Sequence, residues 1–196
     1  SSRELAQKML GALQPGARRV VELGGGTGVF TRATLERGIV PDDLLVLELN
    51  QALYQHLRNT FAGVHVVCAD ARQLHEVAVS SGYLDAGPAD AVLSGLGLLS
   101  MPRPSQREIL RAAFDVMGPE GRFIQFTYGP VNPVAREVMG ELDLMAERTG
   151  FTGTSSYDGV GAEPHAEGGR GRRRTSARPS RHPRRWTRPR PGRGAG

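Results

Sequence analysis

Five short apolar runs recur along the chain, and each is followed by a stretch whose apolar residues have helical spacing. The runs are RRVVELG, DLLVLELN, VHVVCAD, ADAVLSGL and GRFIQFTYGP. The stretches after them are TGVFTRATLERG, QALYQHLRNTF, ARQLHEVAVS, SQREILRAAFDVM and PVAREVMGELDLMAERTG. Strands that are apolar at nearly every position belong to parallel sheets covered on both faces. The alternation therefore predicts an α/β fold of the Rossmann-like kind, a mostly parallel sheet with helices on both sides. One more helix, over SSRELAQKML, precedes the first strand. Ser1 and Glu4 stand there in capping-box spacing, and Leu5, Met9 and Leu13 share a face.

The pattern stops after Phe151, which divides the chain into a folded domain over 1–151 and a tail over 152–196. The tail is rich in Gly, Pro, Arg, Ser and Thr with few aliphatic residues. It cannot bury enough apolar surface to offset the entropy of ordering, so disorder is expected. Charge divides the same way: residues 1–162 carry a net −4, while residues 163–196 hold eleven arginines against two glutamates, or +9. Such a tail attracts polyanions, and nucleic acid is expected as a partner only through it. Its lysine-free composition is also what a shifted reading frame through GC-rich DNA would give. Cys68 is the single cysteine, which excludes an intrachain disulfide and suits a reducing cytosol. No apolar run approaches the ~20 residues needed to cross a bilayer. No histidine or cysteine spacing suggests a metal.

The first strand leads into VELGGGTGVF, with four glycines in the five positions 24–28. A dinucleotide fingerprint would need a glycine three residues after Gly26, where Val29 stands, and a phosphate-binding loop would need a lysine. What remains is Glu22-x-Gly24-x-Gly26-x-Gly28, a turn that lets the backbone lie against the amino-acid part of S-adenosylmethionine. A glycine turn without a ligand is the alternative. Glu48 ends the second strand with Leu49 beside it, placed to accept hydrogen bonds from two ribose hydroxyls. That position alone suits NAD equally. Asp70 ends the third strand, where it could accept from the adenine amino group while the Ala71 amide meets a ring nitrogen. Capping the following helix is its other possible duty. Three acids at three successive strand ends set a negative field that favours a cationic sulfonium cofactor.

The fourth strand runs into SGLGLLSMP. Methyl transfer is a direct displacement, so the protein has chiefly to orient a neutral nucleophile and accept its hydrogens. The carbonyls of Ser94, Gly95 and Leu96 and the Ser94 hydroxyl are candidates, as is Tyr128 in FTYGP. For Ser94 the competing duty is to satisfy nearby backbone, and for Tyr128 it is packing.

Taken together, VVELGGGTGVFTRATLERGI, DLLVLELN, ADAVLSGLGLLSMP and GRFIQFTYGP resemble the bacterial phospholipid N-methyltransferases. These are class I S-adenosylmethionine-dependent enzymes close to the ribosomal RNA adenine dimethylases. The similarity spans about residues 1–151. It implies stepwise methylation of phosphatidylethanolamine by a monomer that is cytoplasmic and peripheral to the inner membrane. It assigns Glu22, Gly24, Gly26, Gly28, Glu48 and Asp70 to the cofactor, and the loop from Ser94 to Leu96 to the acceptor amine. The chain departs from the family's pattern at three places. The amphipathic segment usual before SSRELA is not in this sequence, and Gly97 stands where proline is common. The arginine-rich tail replaces the final strand pair, which is expected to be missing. Two other functions stay open. One is RNA adenine N6-methylation, although SGLGLL offers no aromatic to stack a flipped base. The other is an inactive, truncated domain whose tail binds polyanions.

Overall fold

Each apolar run forms a strand, and the strands pair side by side in one direction. The computed structural model describes residues 3–126, 132–148 and 184–187. β1 (Val20–Leu23), β2 (Leu44–Glu48), β3 (His65–Cys68), β4 (Ala89–Ser94) and β5 (Met117–Gln125) are mutually parallel, in the order β3-β2-β1-β4-β5. The helices are α1 (Arg3–Leu10), α2 (Val29–Glu36), α3 (Gln51–Thr60), α4 (Leu74–Ser80), α5 (Arg103–Asp115) and α6 (Arg136–Glu141). This is the expected Rossmann-like architecture.

Strand alternation divides the core into two layers. Val21, Leu23, Leu45, Leu47, Val92 and Phe123 pack with Leu74 and Ala78 of α4 and Ile109 and Leu110 of α5. Val20, Leu44, Val46, Leu93 and Ile124 pack against Met9 of α1, Phe30 of α2 and Leu57 of α3. Burial of such aliphatic side chains contributes roughly 1.5–3 kcal/mol each, which is why nearly every strand position is apolar. At the amino end of the sheet, Asp90 accepts from the Arg18 and Arg19 amides, and Arg19 pairs with Asp43 at 2.9 Å while lying over the Tyr83 ring. The strand order reverses between β1 and β4. Ligands of open α/β sheets bind at the carboxyl ends of the strands beside such a reversal.

Two expectations are corrected. The helical spacing of PVAREVMGELDLMAERTG predicts one helix through residue 150, but α6 stops at Glu141. Asp143 has a φ of 51°, and the chain continues as β6 (Met145–Arg148). The final strand pair is also not missing. β7 (Arg184–Thr187) lies between β5 and β6, antiparallel to both, and completes the order β3-β2-β1-β4-β5-β7-β6. Its sequence, RRWT, hides two good strand formers behind arginines, and its partners are far away in the chain. The rest of the tail lies outside the described residues.

Because β7 sits between two strands, ending the chain at residue 183 removes the pairing of both. At about 1 kcal/mol per lost ladder hydrogen bond, we expect a loss on the order of 2–4 kcal/mol and a lower thermal midpoint by scanning calorimetry. An unchanged midpoint would show that β7 adds nothing to the fold.

Candidate active site

The glycine turn leaves β1 by hydrogen bonding sideways to β2. The amides of Gly24 and Gly25 donate to the Leu47 carbonyl at 2.8 and 3.3 Å, and the Gly26 amide donates to Glu48 Oε2 at 2.8 Å. Glu48 Oε1 accepts from the Asn50 amide at 2.8 Å, and the Asn50 side chain caps α3 through the amides of Ala52 and Leu53. The Glu48 carboxylate thus joins the turn to the start of α3, and each of its oxygens keeps a further lone pair.

The glycines do different work. Gly26 has φ 55°, and a Cβ built there would meet nothing closer than the Gly24 carbonyl at 4.0 Å, so this side of the turn is open. Gly28 has φ 79° and is buried; a Cβ would lie 2.3 Å from the Phe61 ring. Gly28 therefore serves close packing of the turn against Leu57 and Phe61 at the end of α3.

An open cleft of about 290 Å³ lies at the carboxyl ends of the strands. It gathers Gly24, Glu48, Leu49, Asp70, Ala71 and Leu96 of the expected residues, with Met101 and Ile109 on its α5 side. Leu49 is 66 % exposed at its edge. Asp70 performs the capping duty, accepting from the Arg72 amide at 2.9 Å. Its carboxylate is also gripped by the Arg72 guanidinium at 3.0 and 2.8 Å, which holds the Asp70 pKa below its ordinary value. Arg72 lines the same cleft and went unread in the sequence, although it stands two residues from Asp70.

Glu22 lies beneath this surface, 1 % exposed. Thr31 of α2 donates its hydroxyl to Glu22 Oε2 at 2.7 Å, while Oε1 is buried with no partner among the described residues. Burial, with a smaller push from the Glu48 charge, raises the Glu22 pKa to about 8.

In the acceptor loop Ser94 is fully enclosed. Its hydroxyl accepts from the Leu96 amide at 3.4 Å and its carbonyl from the Phe126 amide at 3.0 Å. The side chain thus has the local duty rather than contact with a substrate, and only Gly95 and Leu96 of the three reach the surface. Tyr128 lies outside the described residues. Two residues the sequence did not single out, Gln106 and Gln125, bond to this loop.

Residues 20–121 match the family described as a methyltransferase domain. The chain belongs to the methyltransferase domain family. An ornithine lipid N-methyltransferase of Singulisphaera acidiphila is 38 % identical over 118 residues, 58 % of this chain and 59 % of that protein. This methyltransferase domain therefore spans about three fifths of that relative's length. Among solved structures, a TehB-like S-adenosylmethionine-dependent methyltransferase from Corynebacterium glutamicum shares the fold. Its TM-score is 0.60 at 16 % identity, with 94 % of this chain and 87 % of that one covered. S-adenosylmethionine-bound CalS10, an amino pentose methyltransferase from Micromonospora echinaspora, aligns with TM-score 0.50 at 21 % identity, over 65 % of this chain and 52 % of that one.

S-adenosylmethionine is the cofactor that the glycine turn and the strand-end acids lead one to expect. The residues present fit it: the turn is open at Gly26, carboxylates stand at the ends of β2 and β3, and a buried Glu22 oxygen lacks a donor.

Proposed function

We propose that this methyltransferase transfers methyl groups to the amine of a membrane lipid, with phosphatidylethanolamine as acceptor, at the cytoplasmic face of the inner membrane. The observation that carries the reading is the 38 % identity to an enzyme whose name specifies N-methylation of a lipid. When bound, S-adenosylmethionine supplies a methyl group on a cationic sulfur, open to in-line attack by a neutral nitrogen. The chain's own part is to hold and orient. Glu48, with a free lone pair on each oxygen, takes the ribose hydroxyls, and the open side of Gly26 admits the amino-acid portion. Leu49, Ala71 and the Asp70 carboxylate bound the adenine end, and the loop at Gly95 and Leu96 receives the amine. Among the described residues no helix is long and apolar enough to cross a membrane.

The reading is tested by incubating the purified chain with labelled S-adenosylmethionine and vesicles containing phosphatidylethanolamine or an ornithine lipid, with an RNA hairpin in parallel. Label is expected in lipid. Label in RNA adenine with none in either lipid overturns the proposal.

Glu48→Ala should weaken S-adenosylhomocysteine binding by about 1.5–3 kcal/mol, since it removes charge-assisted acceptors and orphans the Gly26 and Asn50 amides. Calorimetric titration measures this directly. Parent-like affinity would remove Glu48 from the site.

A further inference from the structure

The loop after β4 is fastened by two buried glutamines. Gln125, the last residue of β5, is fully enclosed and pairs in register with Ser94. Its Nε2 donates to the Leu96 carbonyl at 2.8 Å and to the Phe126 carbonyl, while Oε1 is buried without a partner among the described residues. Gln106 of α5 donates to the carbonyls of Leu98 at 2.8 Å and Met101 at 3.2 Å, and its Oε1 accepts from the Ala135 amide at 2.9 Å.

The two glutamines differ in one respect. Gln106 is satisfied at both ends and reads as a structural tie. Gln125 leaves an amide oxygen orphaned, which lowers stability, and rotating the amide would only point that oxygen at two carbonyls. Leucine or methionine would fill the same volume without that oxygen, though the Leu96 and Phe126 carbonyls would lose the Nε2 donor. A buried amide that holds a loop carbonyl while leaving its own oxygen orphaned calls for a functional reason.

The loop's own acceptors supply one. The Ser94 carbonyl is taken by the Phe126 amide, and the Leu96 carbonyl by the Leu98 amide and Gln125. The Gly95 carbonyl, on an exposed residue between them, accepts no hydrogen bond from a described residue. We propose that Gln125 is a positioning residue for the methyl acceptor: by pinning Leu96 it fixes the Gly95 carbonyl, which takes an N–H of the substrate amine. A carbonyl acceptor orients the nitrogen through its hydrogen and leaves the lone pair free, which direct displacement requires. The inference rests on the reading that an amine is methylated.

The test compares the parent chain, Gln125→Leu and Gln125→Glu. Gln125→Leu is expected to keep its thermal midpoint or raise it, and to bind S-adenosylhomocysteine within about twofold of the parent. Its kcat on phosphatidylethanolamine vesicles should fall about tenfold or more, and amide hydrogen exchange at residues 96–98 should quicken without any lipid present. Gln125→Glu should recover rate as pH falls, because its protonated carboxyl again donates to Leu96, whereas the parent loses rate as the amine becomes charged. Parent-like exchange and turnover in Gln125→Leu, or a loss of cofactor affinity in step with activity, overturns the proposal. If the parent methylates no lipid amine, the reading under Proposed function fails instead, and the exchange measurement still decides whether Gln125 pins the loop.

Discussion

Gly28→Ala is expected to destabilise the chain by about 2–5 kcal/mol, while Gly26→Ala costs only about 1–2 kcal/mol of stability and loses the cofactor. Both residues have positive φ, 79° and 55°, so each substitution carries the left-handed penalty of roughly 1–2 kcal/mol. Only Gly28 adds a collision. Its Cβ would lie 2.3 and 2.7 Å from two atoms of the Phe61 ring and 3.1 Å from Leu57, Leu57 buried on α3 and Phe61 buried just past its end. Neither neighbour can swing into solvent, so strand, turn and helix must separate. At Gly26 the methyl group would enter open space on the side where a ligand's backbone contact is expected. Urea unfolding and titration with S-adenosylhomocysteine separate the two effects. Equal destabilisation by both variants, or undiminished binding by Gly26→Ala, would show that the turn's division of labour is wrong.

The difference between these two glycines shows where reading the sequence stopped. Counting residues recognises a turn that needs glycine, but one glycine faces open space and the other a phenylalanine 33 positions later, and only packing distinguishes them. The five parallel strands and the acids at their ends were legible because continuous apolar runs and strand-end carboxylates are local signals. β7 was not legible, because an antiparallel pairing of Arg184–Thr187 with β5 and β6 is a distant event written in four residues, two of them arginine. α6 was overextended because Ala135, Val138, Met139 and Leu142 repeat at helical spacing, although the chain leaves the helix after Glu141 through a left-handed Asp143. Asp70 carried two possible duties in the sequence, and the structure shows the capping one together with an Arg72 grip no spacing rule anticipates. Gln125 was not singled out, because a lone glutamine in an apolar strand carries no motif.

Glu22→Gln is expected to flatten a pH dependence of stability that the parent shows between about pH 4.5 and 8. In the folded chain Glu22 is enclosed, with Thr31 as its one hydrogen-bond donor from α2 and Glu48 as the charged group facing it from β2, and its pKa stands near 8 against 4.5 when free. Between those values the native state keeps a proton that the unfolded chain has released. The native state then binds more protons, so stability is full below pH 4.5, declines as pH rises, and levels off above about 8. At about 1.4 kcal/mol per unit, the decline reaches roughly 3 kcal/mol by pH 7. Glutamine keeps the shape of the neutral acid and has no proton to lose. Its advantage over the parent in urea unfolding should therefore widen steadily from pH 5 to pH 8; parallel curves would mean that Glu22 is ionised in the fold. The same neutrality bears on the cofactor. A cationic ligand held by the glycine turn favours the ionised carboxylate, so binding should expel the Glu22 proton. Heats of S-adenosylmethionine binding at pH 7 should then differ between buffers of unlike ionisation enthalpy for the parent and agree for Glu22→Gln.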